Sequence, residues 1–226
     1  MGARLEFLDA QQTSMGVISL RRRLDPVSGQ EVYEAKLDDE FLMSSLFTVA
    51  EVEVARLALA ELDGDDLDSV VGGLGLGYTA ATVLADDRVR SLVVVDALGP
   101  VIGWHRRNLL PLGESITSDR RCRLEHGDFF ALAAGHSLDP QEPGRQFDAV
   151  IVDIDHSPRD LLHPSHASFY TPDGMRRLAG RLHPGGVFSL WSNDPPDAQY
   201  EAALATVFTT VRAEVVTFDS ALDDQV

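Results

Sequence analysis

The sequence predicts an α/β fold, a doubly wound and mostly parallel sheet preceded by a small antiparallel β-region. Short apolar runs at 67–71, 92–95, 123–125, 149–152 and 187–190 alternate with longer helical or loop stretches. That is the rhythm of βαβ units, whose strands are buried on both faces. The first run breaks into glycines at Gly73, Gly75 and Gly77 and then turns helical. The first forty residues instead alternate in strand fashion.

The elements follow in order. Leu5, Phe7, Val17, Ile18 and Leu20 lead into a turn at Pro26–Gly29, and V-Y-E-A-K-L follows, which reads as a β-hairpin or small β-region. From Leu46 to Leu62 the apolar spacing becomes helical, and D-G-D-D at Asp63–Asp66 ends that helix. The five strand-like runs come next. The loop Gly135–Gln146 reads as solvated, and a helix over Pro196–Phe208 precedes a last strand-like stretch, Val211–Phe218. The expected division is an N-terminal β-region, residues 1–45, and one α/β domain, residues 46–226.

Composition narrows the function. Thirty-six acidic residues against 19 basic ones give a net charge of −17, which argues against a nucleic-acid partner because phosphate binding needs a basic face. The Arg21-Arg22-Arg23 run is too short for such a footprint. Cys122 is the only cysteine, so an internal disulfide is excluded, and Lys36 is the only lysine. No apolar stretch approaches the roughly 18 residues of a membrane span, and the N-terminus has no signal-peptide core. A cytoplasmic protein without a membrane partner is expected.

Glycines after a strand permit positive φ and close approach of backbone to a ligand, while the following helix start offers free N–H groups. About twenty residues on, V-V-V-D ends the second strand at Asp96, where an acid can accept hydrogen bonds from ribose hydroxyls. Together they indicate a nucleoside-bearing ligand. NAD is disfavoured because the spacing is G-x-G-x-G, without the third glycine of the dinucleotide turn. His126-Gly127-Asp128 ends the third strand, F-D-A-V-I-V-D ends the fourth at Asp153, and H-P-G-G leads into the fifth.

That series resembles the Rossmann-like fold of class I S-adenosylmethionine-dependent methyltransferases, and within it the polyamine aminopropyltransferase (spermidine synthase) family. The family motifs G-G-G-D-G-G, V-D-I-D, G-D-(A/G), D-x-I-x-D-S-S-D-P and K-P-G-G are matched in order by G-G-L-G-L-G, V-D-A-L, H-G-D-F, D-A-V-I-V-D-I-D-H-S and H-P-G-G. The resemblance covers roughly 46–190. It implies that Gly73, Gly75 and Gly77 line S-adenosylmethionine or its decarboxylated form, that Asp96 takes the ribose, and that Asp128 with Phe129 holds the adenine. Asp153 matches the acid that orients and deprotonates an attacking amine.

The acceptor side departs from the family. The loop aspartate of G-G-G-D-G-G falls on Gly75, the second aspartate of D-S-S-D-P falls on His156, with Asp155 beside it to compensate, and 41–47 reads F-L-M-S-S-L-F where the family has tyrosine, histidine and glutamate. Asp153, Asp155 and His156 are therefore the expected catalytic group, and aminopropyl and methyl transfer to a small acceptor both stay open. The alternative is a non-catalytic nucleoside-binding sensor or partner subunit. The loop holding His156, His163 and His166 fits no metal-ligand spacing, and no metal is expected. A sheet lacking its last strand would present an open edge that a second copy, in a homodimer, could cover.

Overall fold

The computed structural model describes residues 5–135 and 137–217. Its N-terminal part is an antiparallel meander of four strands, β1 (Glu6–Thr13), β2 (Gly16–Leu24), β3 (Glu31–Leu37) and β4 (Glu40–Ser44), so the predicted hairpin is half of a larger sheet. Period-two alternation explains it: Ile18, Leu20, Ala35 and Leu37 turn to the core while Arg21 and Arg23 turn to the opposite face. The arginine run is fully engaged. Arg21 and Arg23 both bond Glu34, and Arg22 bonds Glu6 and Glu31.

Helix α1 (Val49–Ala60) leads into the main sheet, which comprises β5 (Leu67–Gly72), β6 (Val89–Asp96), β7 (Cys122–His126), β8 (Phe147–Val152) and β9 (Leu182–Leu190). These five strands are parallel in the order β7-β6-β5-β8-β9. Helices α2 (Tyr78–Leu84), α3 (Gly99–Arg106), α4 (Gly113–Ser118), α5 (Phe129–Ala134), α6 (Pro172–Ala179) and α7 (Ala198–Ala205) complete the domain. Alternate residues of one strand feed two cores. Val71, Leu92, Val94 and Ile151 pack under α1, α2 and the meander, whereas Val70, Val93, Val95 and Val150 pack with α5 and α6. No helix among the described residues is long and apolar enough to cross a membrane.

Helix ends are finished from a distance. Neither α1 nor α2 has a basic residue in its last turn, yet Arg88 donates to the Leu59 and Leu62 carbonyls, 2.9 and 2.7 Å away, and Arg121 to that of Leu84 at 2.6 Å. Guanidinium groups suit this because several fixed donors meet several free carbonyls.

Two sequence expectations fail. The segment Gly135–Gln146 is not wholly solvated, because Leu138 and Asp139 are completely buried. Asp139 takes Arg123 and, at 3.2 Å, Arg145, and Arg145 continues to Asp68 at 3.0 Å and caps the Phe147 ring. A buried acid is tolerated here because two guanidinium groups match it. The expected strand Val211–Phe218 does not form either. Residues 211–217 have no regular secondary structure and Val215 is 70% exposed; Phe218 lies outside the described residues, as does the tail beyond it. Alternation alone does not make a strand without an edge to pair with.

Candidate active site

The carboxyl ends of β5, β6 and β8 meet at the glycine turn, the end at which open α/β sheets bind ligands. Gly73, Gly75 and Gly77 all have positive φ, at +93°, +49° and +97°. Space separates their roles. A Cβ on Gly73 would stand 2.1 Å from the Asp153 carbonyl oxygen, and one on Gly77 would stand 2.5 Å from Ile116 and 2.8 Å from His105. Those two glycines let the turn lie flat against protein. At Gly75 the nearest atom is the Met43 sulfur of β4, at 3.3 Å, so this glycine faces the meander. Gly72, not singled out in the sequence, has the Phe129 ring 2.7 Å from where its Cβ would be.

Behind the turn, buried His105 holds the Gly75 carbonyl through Nε2 at 2.9 Å. Burial pushes its imidazole pKa down, which keeps it neutral, with Nε2–H as the donor. In front, Asp96 ends β6 with both carboxylate oxygens on backbone: Oδ2 accepts from Leu74 N–H at 2.8 Å and Oδ1 from Leu98 N–H at 2.7 Å. Burial raises its pKa, opposed by these bonds. Asp96 thus fixes the turn.

Asp128 is exposed and uses Oδ1 to cap α5, accepting from Phe130 and Ala131 N–H at 2.9 and 3.1 Å. Phe129 does not join it at the surface. Its ring is only 2% exposed, edge-to-face with Phe130 and Phe169. Phe129, expected beside adenine, is the first residue of the wholly apolar helix F-F-A-L-A-A and turns inward, supporting Gly72 from below.

Asp153 follows β8 directly. Thr79, on the first turn of α2, donates its hydroxyl to Oδ2 at 2.7 Å. Burial pushes the Asp153 carboxyl up, and the Thr79 bond pulls the other way. The same Thr79 hydroxyl lies 3.2 Å from the Glu51 carbonyl on α1. Burial first, and then the Asp153 charge, push the Glu51 carboxyl up to about 7. Its Oε2 is buried without a hydrogen-bond partner. Half-buried Tyr78 closes this side, its phenol raised above the ordinary range by burial.

Asp155 and His156 are not brought to Asp153. Asp155 is 1% exposed and holds three donors: Leu162 N–H at 2.8 Å, His166 Nδ1 at 2.8 Å and the Tyr170 hydroxyl at 2.8 Å. The His166 ring stacks on Phe130 with centroids 4.0 Å apart. Asp155, expected in the catalytic group, is thus a clamp for the loop 155–170, its carboxylate filled by three donors from that loop. His156 lies on the rim, with Nε2 3.0 Å from Glu40 Oε1 and its carbonyl accepting from Asn193 N–H at 2.7 Å.

Sequence reasoning missed Glu51, Thr79 and Met43. Glu51 lies four positions beyond the stretch 41–47 in which the resemblance places an acid. Thr79 was visible as a polar residue opening an apolar helix, Y-T-A-A-T-V-L.

No family model matches the chain. Among solved structures it is similar to spermidine synthase from Thermotoga maritima, with a TM-score of 0.67, 19% identity, and coverage of 90% of this chain and 65% of that one. It is equally similar, at 0.67 and 18% identity, to a spermidine synthase in complex with the transition state analogue AdoDATO, covering 90% of this chain and 64% of the other. The fold is therefore the spermidine synthase-like variant of the class I methyltransferase fold, and this chain spans about 65% of the length of those structures.

Proposed function

We propose that the protein is an alkyl-group transferase that binds S-adenosylmethionine or its decarboxylated form and alkylates a small amine. The observation that carries this reading is Asp153: a carboxyl at the end of the fourth strand of the parallel sheet, with no ion pair among the described residues, beside a glycine turn fixed by Asp96. A carboxylate so placed attracts a cation and can take its proton. The neighbour solved with AdoDATO adds support for a ligand of this kind.

The residues fit the donor. Asp96 and the uncapped oxygen of Asp128 would supply acceptors for hydroxyl and amino groups, and Asp153 would stand at the reacting end. A bound sulfonium supplies a carbon whose leaving group is a neutral thioether. The chain's own contribution is to position the amine and remove its proton.

Calorimetric titration with S-adenosylmethionine, its decarboxylated form, methylthioadenosine, S-adenosylhomocysteine and NAD tests the reading. Binding of either sulfonium with its product, and loss of turnover in Asp153→Asn, are expected. Silence toward all the adenosyl compounds would sink it. A second reading, a nucleoside-binding protein without catalysis, draws on the Met43 sulfur over Gly75 and on the diversion of Asp155 into the loop clamp. Tight nucleoside binding without transfer to amines, hydroxyls or thiols would favour it.

A further inference from the structure

Asp153 is held from two sides. Its backbone N–H donates to the Gly72 carbonyl at 2.8 Å, which fixes it against the end of β5. Its Oδ2 accepts the Thr79 hydroxyl at 2.7 Å, and Oδ1 takes no hydrogen bond from any described residue. Thr79 is only 2% exposed, so its hydroxyl is screened from water. A threonine in a helix ordinarily turns its hydroxyl back onto a carbonyl one turn earlier. Thr82 on the same helix does so, donating to the Tyr78 carbonyl at 2.8 Å, and Thr117 of α4 donates likewise to Gly113 at 2.8 Å. Thr79 stands in the first turn of α2, where the carbonyls three and four positions back precede the helix, so its hydroxyl reaches across to Asp153 instead. The Glu51 carbonyl on α1 is the more distant acceptor, at 3.2 Å, and a hydroxyl has a single hydrogen to give. The titratable groups on the elements around Asp153 are Glu51 of α1, whose carboxyl feels the Asp153 charge, and Tyr78 of α2; Asp155 in the following loop is taken up by His166 and Tyr170.

We propose that Thr79 is the positioning residue of Asp153: by pinning Oδ2 it leaves Oδ1 as the oxygen that meets the acceptor's ammonium and takes its proton. The proposal rests on the amine-acceptor reading above and adds the group that orients the base. In the step, one proton passes from the ammonium nitrogen to Oδ1. The freed lone pair forms the new carbon–nitrogen bond as the carbon–sulfur bond of the sulfonium breaks; the electron pair of that bond stays on sulfur, and the product is a secondary ammonium. Thr79 keeps its bond to Oδ2 throughout, because a hydroxyl donates both to a carboxylate and to the carbonyl oxygen of a carboxylic acid, more strongly to the former. Burial pushes the Asp153 carboxyl up and the Thr79 bond holds it down, so removing the hydroxyl should raise it further.

Infrared difference spectroscopy on the full chain, carrying isotope-labelled aspartate and followed from about pH 3 to about pH 9, tests this without turnover. The band that Asp153→Asn removes marks the protonated Asp153 carboxyl. In Thr79→Val, which keeps the shape and loses the hydroxyl, the midpoint of that band should rise by about one to two pH units, the worth of a hydrogen bond to a charged group. Thr79→Ser should bring it back. Thr79→Ala, which adds no bulk, should move it as Val does and replaces Val if that variant does not fold. A midpoint unmoved in Val and Ala, a Ser variant that behaves like Val, or no band that Asp153→Asn removes overturns the proposal, even where amine turnover leaves the acceptor reading intact. Steady-state turnover of butane-1,4-diamine with the sulfonium that the protein binds gives the second readout. In Thr79→Val, kcat should fall about tenfold or more while the donor KM holds, and the acid limb of its pH profile should move up with the infrared midpoint. A loss confined to KM overturns the positioning role. A wild-type protein that turns over no amine, while its Asp153 band responds to Thr79 as expected, overturns the acceptor reading and the proton-taking role with it.

Discussion

Replacing Glu51 by Gln should stabilise the free protein, and more so as the pH rises. The carboxyl stands at 4.5 in an unfolded chain and at about 7 in the fold. The folded state therefore binds the extra proton, and the stability it confers is complete below 4.5 and lost as the pH climbs through about 7. At about 1.36 kcal/mol per pH unit, full exclusion of water would make the penalty of ionised Glu51 about 3 kcal/mol. The side chain is partly open to solvent, and screening there brings it to about 1–2 kcal/mol. Gln keeps the shape and never ionises, so from pH 5 to pH 8 its advantage over wild type should widen by about 1 kcal/mol. For a chain of this size that is about 2–4 °C in Tm. Thermal melts of both proteins at the two pH values read it directly. A Tm difference that stays constant between them would refute the reasoning that Glu51 is held above its ordinary range. The widening should also shrink in an Asp153→Asn background, since part of the rise comes from that charge.

Gly73→Ala should cost about 3 kcal/mol or more, combining positive φ with a collision on the Asp153 carbonyl; Gly75→Asp should cost only about 1 kcal/mol, because aspartate tolerates the left-handed region and Met43 is flexible. Urea unfolding separates the two. Asp155→Ala strands the Tyr170 hydroxyl and His166, so a loss of about 2–4 kcal/mol and faster proteolytic cleavage within 157–163 are expected. In Asp139, burial opposes the charge but Arg123 and Arg145 hold the carboxyl below its ordinary value; its stabilisation is present above 3.8 and lost as the pH falls through the folded value, so Asp139→Asn should show a shallower acid denaturation curve by circular dichroism.

The strands of the main sheet were legible because burial on both faces leaves an unbroken apolar run in the text, as in Val93-Val94-Val95. The positions of Asp96 and Asp153 were legible for the same reason: each is the first acid after such a run and stands at the carboxyl end of its strand. Glu51 was not legible as a neighbour of Thr79 and Asp153. They are far apart in sequence, and only the packing of α1 on α2 and β8 brings them together. Asp155 was misread because the direction of a loop side chain depends on what catches it, here His166 and Tyr170. The stretch 211–217 has the right alternation, but pairing is a property of a neighbour that local sequence does not describe. Asp139 shows a third limit: a polar loop composition hid an acid whose burial depends on arginines from two other segments.

The meander is tied to the helices and loops of the α/β part at three separate places. Asp9 accepts from the Trp104 indole at 2.7 Å and pairs with Arg107, Met43 rests on Gly75, and Glu40 meets His156. Ile18, Leu20 and Ala35 share one core with Val71 and Ile151. The boundary at residue 45 is thus one of topology and not of cooperativity. Neither part keeps its apolar face covered alone, so the two should melt in a single calorimetric transition whose van't Hoff and calorimetric enthalpies agree. A cut at that boundary would yield two insoluble fragments in place of two domains.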